Sequence, residues 1–291
     1  MPGSRISRLL LGGALLLSGC ALAGAEMQAC PATSPLCHYD LTTARARWKL
    51  PAPLEEISGL AALGTSVVVA HDDNSSLLWQ LRLDRDVVDA RPVSAPGTVV
   101  DGDFEGVTVA GSRLYLLSSQ GAVYHADLDA AGLAGPLTVL ATGVAGRCNF
   151  EGIAAAPGAV LYLACKYPRD PHPGSIRLYR LRYAAGLDGV PVVETLEVDV
   201  GQVLAALQLE RLRPSGLAWL AEVGRLLVLV GKERVLLDVN PDRGTVVAWR
   251  RLSRRLHRQA EGVSLLADGA LVVADEADGR AATLTIYAPE R

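Results

Sequence analysis

Between residues 55 and 290 the hydrophobic positions fall in runs of four to six, separated by short polar breaks. "SVVVAH" (66–71), "RLYLLS" (113–118), "VLYLAC" (160–165), "RLLVLV" (225–230) and "ALVVAD" (270–275) are continuous apolar runs. Each is a short apolar run that reads as a strand. A third strand-like run follows each after a short polar break: "SLLWQLRL", "AVYHADL", "IRLYRLRY", "RVLLDVN" and "TLTIYAP". A weaker fourth run closes most units: "VVDARPV", "PLTVLA", "VETLEVD" and "TVVAWRRL". Turn residues punctuate the series, as in "LDRD", "LDAAG" and "VNPDRG".

Ahead of each set stands a common motif: "EEISGLAAL", "GDFEGVTVA", "CNFEGIAAA", "LRPSGLAWL" and "RQAEGVSLL". The motif glycines are Gly59, Gly106, Gly152, Gly216 and Gly262, spaced by 47, 46, 64 and 46 residues. A repeat near this length with four short strands is the pattern of a β-propeller. Five repeats predict an all-β fold of five four-stranded blades, with a six-bladed propeller as the alternative. The fifth repeat ends at "TLTIYAPER" without a fourth strand, while "ARARWKL" (44–50) lies upstream with no unit of its own. That segment is expected to complete the last blade. The longer interval holds a Pro-rich loop, "KYPRDPHPGS", and "GQVLAALQLER" (201–211), where Val203, Leu204, Leu207 and Leu209 predict one short amphipathic helix.

In a propeller the first strand of each blade lines the axis. Before the glycine the motif reads polar, apolar, polar, which puts two polar positions on one face. Ser58, Glu105, Glu151, Ser215 and Glu261 are thus expected to ring one mouth, with Asp103 and Asn149 beside them. Three carboxylates so placed repel one another, and a proton or a cation must neutralise them. Oxygen donors alone favour a hard cation, calcium first, so Glu105, Glu151 and Glu261 are candidate metal ligands. The competing expectation is a solvated polar channel whose side chains bond the backbone of neighbouring blades. Strand two returns towards the same mouth and brings Asp72, Lys166, Lys232 and Glu276, a mixed-charge rim suited to a polar ligand. His71 is the histidine best placed for general-base work. There is no G-x-S-x-G elbow, no H-E-x-x-H and no complete P-loop, and "ADEADG" lacks the closing glutamate of an EF-hand.

The chain has 291 residues, 50% hydrophobic and 20% charged, with a formal net charge of −3. That balance gives no reason to expect nucleic acid as a partner. Arg5 and Arg8 precede "LLLGGALLLSGC" (9–20), the grammar of a secretory signal. Leu17-Ser18-Gly19-Cys20 resembles the bacterial lipobox, which implies cleavage after residue 19 and a lipid such as palmitate on Cys20. The division expected is a signal peptide over 1–19, an anchor and linker over 20–43, and the propeller over 44–291. The anchor predicts a bacterial envelope protein facing the periplasm, and Ala21 points to the outer membrane. The remaining cysteines allow three pairings; proximity favours Cys30–Cys37 and Cys148–Cys165, with zinc as the rival use.

The ordered series "ISGLA", "DFEGVTV", "NFEGIA", "PSGLAWL" and "AEGVSLLADGALVVADE" resembles the SdiA-regulated family of exported bacterial proteins, over about residues 45–290. The resemblance implies a five-bladed propeller distantly similar to NHL-repeat propellers, a calcium site, and a hydrolase role by analogy with calcium-dependent propeller lactonases and esterases. A related likeness is to the esterase-like domains grouped with phytase. Family members often close the second strand with an acidic residue, where this chain has Ser118-Ser119, Cys165-Lys166 and Gly231-Lys232. The functional expectation is a cation-binding mouth that hydrolyses a small ester or phosphoester through a metal-activated water, or a non-catalytic module that binds a small molecule or an envelope partner there.

Overall fold

A computed structural model of the chain describes residues 30–65, 67–72, 76–83, 88–93, 102–129, 132–184 and 189–290. Residues 1–19 and Cys20 lie outside them. The strands run in chain order as β1 (Ala46–Lys49), then a first antiparallel meander of β2 (Ile57–Ala62), β3 (Val67–Asp72), β4 (Leu78–Leu83) and β5 (Val88–Pro92). The second meander is β6 (Phe104–Ala110), β7 (Arg113–Ser118), β8 (Val123–Asp129), the short β9 (Gly132–Leu133) and β10 (Thr138–Leu140). The third is β11 (Cys148–Ala156), β12 (Val160–Pro168), β13 (Ser175–Arg182) and β14 (Val192–Asp199). The fourth is β15 (Gly216–Leu220), β16 (Arg225–Val230), β17 (Val235–Asn240) and β18 (Thr245–Arg251). The last holds β19 (Ala260–Leu265), β20 (Leu271–Asp275) and β21 (Thr283–Tyr287).

The last sheet has the order β1-β21-β20-β19, so the orphan N-terminal segment supplies its outer strand. Ala46 pairs with Ile286 and Lys49 with Thr283, antiparallel and in register. The third and fourth meanders touch through one parallel bridge, Asp199 to Thr245, between their outer strands.

The hydrophobic cores lie between meanders. One core joins the first and second through Leu78, Phe104 and Leu114. Another joins the second and third through Tyr115, Phe150 and Leu163, and a third joins the third and fourth through Leu178, Leu226 and Val228. Leu229, Leu236 and Val273 link the fourth to the last; Ile57, Val272 and Leu284 link the last back to the first. The stacking therefore returns to where it began, as a β-propeller requires. This placement explains the hydrophobic pattern. β20 is buried at all five positions because a sheet packs on each of its faces, whereas β14 at a rim has mostly intermediate and exposed ones.

Residues 30–43, expected as a linker, are folded against the last two meanders. Leu36, Tyr39 and Leu41 are buried in the fourth-to-last core. The Tyr39 hydroxyl donates to the Gly269 carbonyl at 2.6 Å. Ser34 donates to Asp238, which also takes a two-pronged bond from Arg225 at 2.8 and 2.9 Å. The disulfide Cys30–Cys37 closes this segment, and Cys148–Cys165 ties β11 to β12. A helix, α1 (Gly201–Leu207), buries Val203 and ends where Gln208 turns left-handed at φ 55°, shorter than the 201–211 stretch that predicts it. Among the described residues no helix is long and apolar enough to cross a membrane.

Candidate functional site

β2, β6, β11, β15 and β19 meet around the axis. Ile57 pairs with Asp72 and Gly59 with His71, which leaves Ser58 as an extra residue in its strand. Glu105, Glu151 and Glu261 are extra in the same way. Each is a β-bulge, which releases one residue from the ladder and re-aims its side chain. Simple alternation does not include that extra residue. The apolar position before it still packs inward: Ile57, Phe104, Phe150 and Ala260 are at most 1% exposed.

The motif glycines make the crowding possible. A Cβ on Gly152 would stand 2.9 Å from the backbone of Gly216 and Leu217, and one on Gly106 would stand 3.1 Å from the Ile153 nitrogen. None of the five has a positive φ, so they serve close approach rather than an unusual turn. Between them remains an axial cavity of about 10 Å³, lined also by Ser58, Glu105, Glu151 and Glu261. That is room for about one water.

The three glutamates crowd one another in poor solvent. Burial, then the charges of Glu151 and Asp103, push the Glu105 carboxyl up to about 9. Burial pushes Glu261 up to about 8, with Glu276 and Glu151 adding to it against the pull of Lys166. Glu151 is also raised by burial, while Lys166 draws it down. The Lys166 ammonium lies 2.8 Å from the Glu151 carboxylate, which is 7% exposed. Burial alone would lower the lysine, but Glu151, Glu261 and Glu105 together hold it above its ordinary value. Both the lysine beside Glu151 and the upward pull of burial on the carboxyl groups work against a build-up of negative charge at the mouth.

That arrangement decides how well calcium fits. The donor atoms are oxygens, as a hard cation requires. Yet Glu151 is already paired with Lys166, and among the described residues no group of three or more His, Cys, Asp or Glu side chains is gathered to hold a metal ion. The residues as arranged do not form a ready calcium site.

The other expected residues take varied places. Asp103 accepts a hydrogen bond from the Ser119 hydroxyl. Ser215 donates to the Ala260 carbonyl and accepts from the Gly231 N–H, both at 3.1 Å, and so staples β15 to the neighbouring sheet. Asn149 is half-buried at the start of β11, and Lys232 is exposed. Glu276 accepts from the Gln259 amide, and its backbone N–H bonds the Gln259 carbonyl. His71 is fully buried, with its ring against Gly59 rather than on an open rim. The Asp72 side chain lies outside the described set.

One buried chain of polar groups had no counterpart among the expectations. His257 contacts Asp275 at 2.7 Å through Nδ1 and the Tyr287 hydroxyl at 2.6 Å through Nε2, and all three are buried. Asp275 also accepts the backbone N–H of Arg258 at 2.9 Å and of Gln259 at 3.3 Å. The sequence signal is a histidine four residues before the last motif glutamate, in "LHRQAEG".

No family model matches the chain. No curated protein matches it either. The likeness to the SdiA-regulated family therefore rests on the motifs alone. Among solved structures, the chain is similar to a glutaminyl cyclase from Myxococcus xanthus at TM-score 0.57 and 15% identity, over 85% of this chain and 96% of that one. It is also similar to the WD40 β-propeller domain of Doa1, at TM-score 0.48 and 12% identity over 85% and 97%. A PQQ-bound aldose sugar dehydrogenase from Streptomyces coelicolor aligns at TM-score 0.47 and 13% identity over 83% and 97%. The cyclase is itself a β-propeller, and at this identity the likeness concerns the fold.

Proposed function

We propose that the chain is a β-propeller of five blades, held at the bacterial envelope by a lipid on Cys20, whose axial mouth binds a small cationic group. The observation that carries this reading is that Glu105, Glu151 and Glu261 line one axial cavity, with the Lys166 ammonium bonded to Glu151 and within electrostatic reach of the other two. Fully ionised, three carboxylates exceed one lysine by two negative charges. In the free protein protons make up the difference. An external cation competes with those protons, so binding releases them and tightens as pH rises. An amine-bearing ligand suits this chemistry; calcium is the less fitting cation, because it would have to displace Lys166 from Glu151.

A catalytic reading has one supporting feature. A carboxyl that keeps its proton near neutrality is a competent general acid, and Glu105 and Glu261 are both of this kind. Small esters and phosphoesters are the substrates to try. The cyclase neighbour shows that this scaffold can host catalysis, and nothing about which reaction.

Calorimetric titration with calcium chloride and with 1,4-diaminobutane, in two buffers of different ionisation heat, tests the first reading. Expected are binding with net proton release at about pH 7 and a loss of about tenfold or more in Glu105→Gln and Glu261→Gln. Failure of both probes to bind below about 10 mM, or unchanged binding in the glutamine variants, rejects it. An ester and phosphoester panel showing no turnover above the double variant retires the catalytic reading.

A further inference from the structure

The closing sheet carries a second cleft, of about 560 Å³, which shares no lining residue with the axial cavity. That volume is in the range of small-molecule sites. Three separate parts of the chain bring cations to it: Arg47 and Lys49 from β1, Arg255 and Arg258 from the β18–β19 connection, and Arg280 from the β20–β21 turn. Three acidic residues also line it, and each is engaged. Asp275 is held by His257 and two backbone N–H groups, Glu276 by Gln259, and Asp278 lies 3.9 Å from Arg258. Among the described residues, no carboxylate stands within 4.0 Å of the charged nitrogens of Arg47, Lys49, Arg255 or Arg280.

Two of these features are built rather than incidental. Arg47 is steered by the Leu256 carbonyl at 2.9 Å and the Thr283 hydroxyl at 3.2 Å, neither of which cancels its charge. Asp275, fixed by the buried His257–Tyr287 pair, anchors the backbone at Arg258 and Gln259 and so sets the loop that presents Arg255. The guanidinium fork matches the oxygens of a phosphate and binds it in two-pronged fashion.

We propose that this cleft is a binding site for a phosphate-bearing anion, seated among Arg47, Lys49, Arg255 and Arg280. Free phosphate compounds and phospholipid headgroups share that chemistry. Inorganic pyrophosphate is the soluble probe; vesicles of phosphatidylglycerol against vesicles of phosphatidylcholine are the lipid arm. The full chain is compared with the triple variant Lys49→Ser/Arg255→Ser/Arg280→Ser and with Arg243→Ser, an exposed arginine of the fourth meander. The expected result is pyrophosphate binding that weakens with salt and falls at least about tenfold in the triple variant, with Arg243→Ser unchanged. The same loss confined to phosphatidylglycerol vesicles assigns the site to a headgroup. Absence of binding in both arms, equal binding by the triple variant at matched melting temperature, or an equal loss in Arg243→Ser overturns the proposal.

Discussion

Glu105 is raised to about 9 and Glu261 to about 8, against an ordinary value of 4.5. Between those limits the folded chain holds protons that the unfolded chain has released. The stabilisation is therefore full below the ordinary carboxylate range and is lost as pH climbs through 8 to 9. Glu105→Gln is expected to flatten this decline and to raise the melting temperature at about pH 8.5 by a few degrees, about 1–2 kcal/mol. Thermal melts across pH check it, and a lower melting point for the variant at alkaline pH means that Glu105 is ionised and paired. The motif glycines give a second test at this scale. Gly152→Ala forces a methyl onto backbone with no room to yield and is expected to cost about 1–3 kcal/mol. Gly135→Ala, where a Cβ meets nothing within 4 Å, is expected to be nearly neutral in the same denaturant titration. The crowding glycines and the glutamates beside them were legible because the motif recurs five times. The bulges were not, since an extra residue in a strand leaves no mark on composition or period. The arrival of Lys166 near the glutamates was expected from the return of strand two; its direct bond to Glu151 rather than to Glu105 or Glu261 was not.

At the scale of elements, the strands were legible because short apolar runs recur between turn signals. Their depth was not, since β21 is buried at all five positions while β8 in the equivalent place is not. The N-terminal strand was legible by subtraction: one unit lacked a strand and one strand lacked a unit. The segment over 30–43 was not, because Leu36, Tyr39 and Leu41 are too sparse to form a periodic signal, yet each fills a place in a core. Its hold on the ring predicts the effect of truncation. A chain starting at residue 51 loses β1 and this plug, and leaves the β21 edge unpaired. It is expected to unfold at lower denaturant and to associate through the open edge, whereas a chain starting at residue 30 behaves as the parent. Denaturant midpoints and size-exclusion profiles of the two read this directly; equal midpoints mean that the N-terminal strand does not close the fold.

For the whole molecule, the decisive event is closure. It joins residues near 47 to residues near 280, and it brings carboxylates from three blades to one axis. The sequence by itself determined the strand repeat, the all-β class, the segment that closes the last sheet, and the residue types at the axial mouth. These follow from local hydrophobic patterning and from repetition, both of which are properties of neighbours along the chain. Only the tertiary structure decided that Lys166 neutralises Glu151, that the axis narrows to about 10 Å³, that Cys30–Cys37 closes a folded plug, and that five cations gather in one cleft. The close approach of glycines and the gathering of cations join residues far apart in sequence, at distances that exist only once the ring has closed, whereas the Lys166–Glu151 pair depends on how one hairpin aims its side chains.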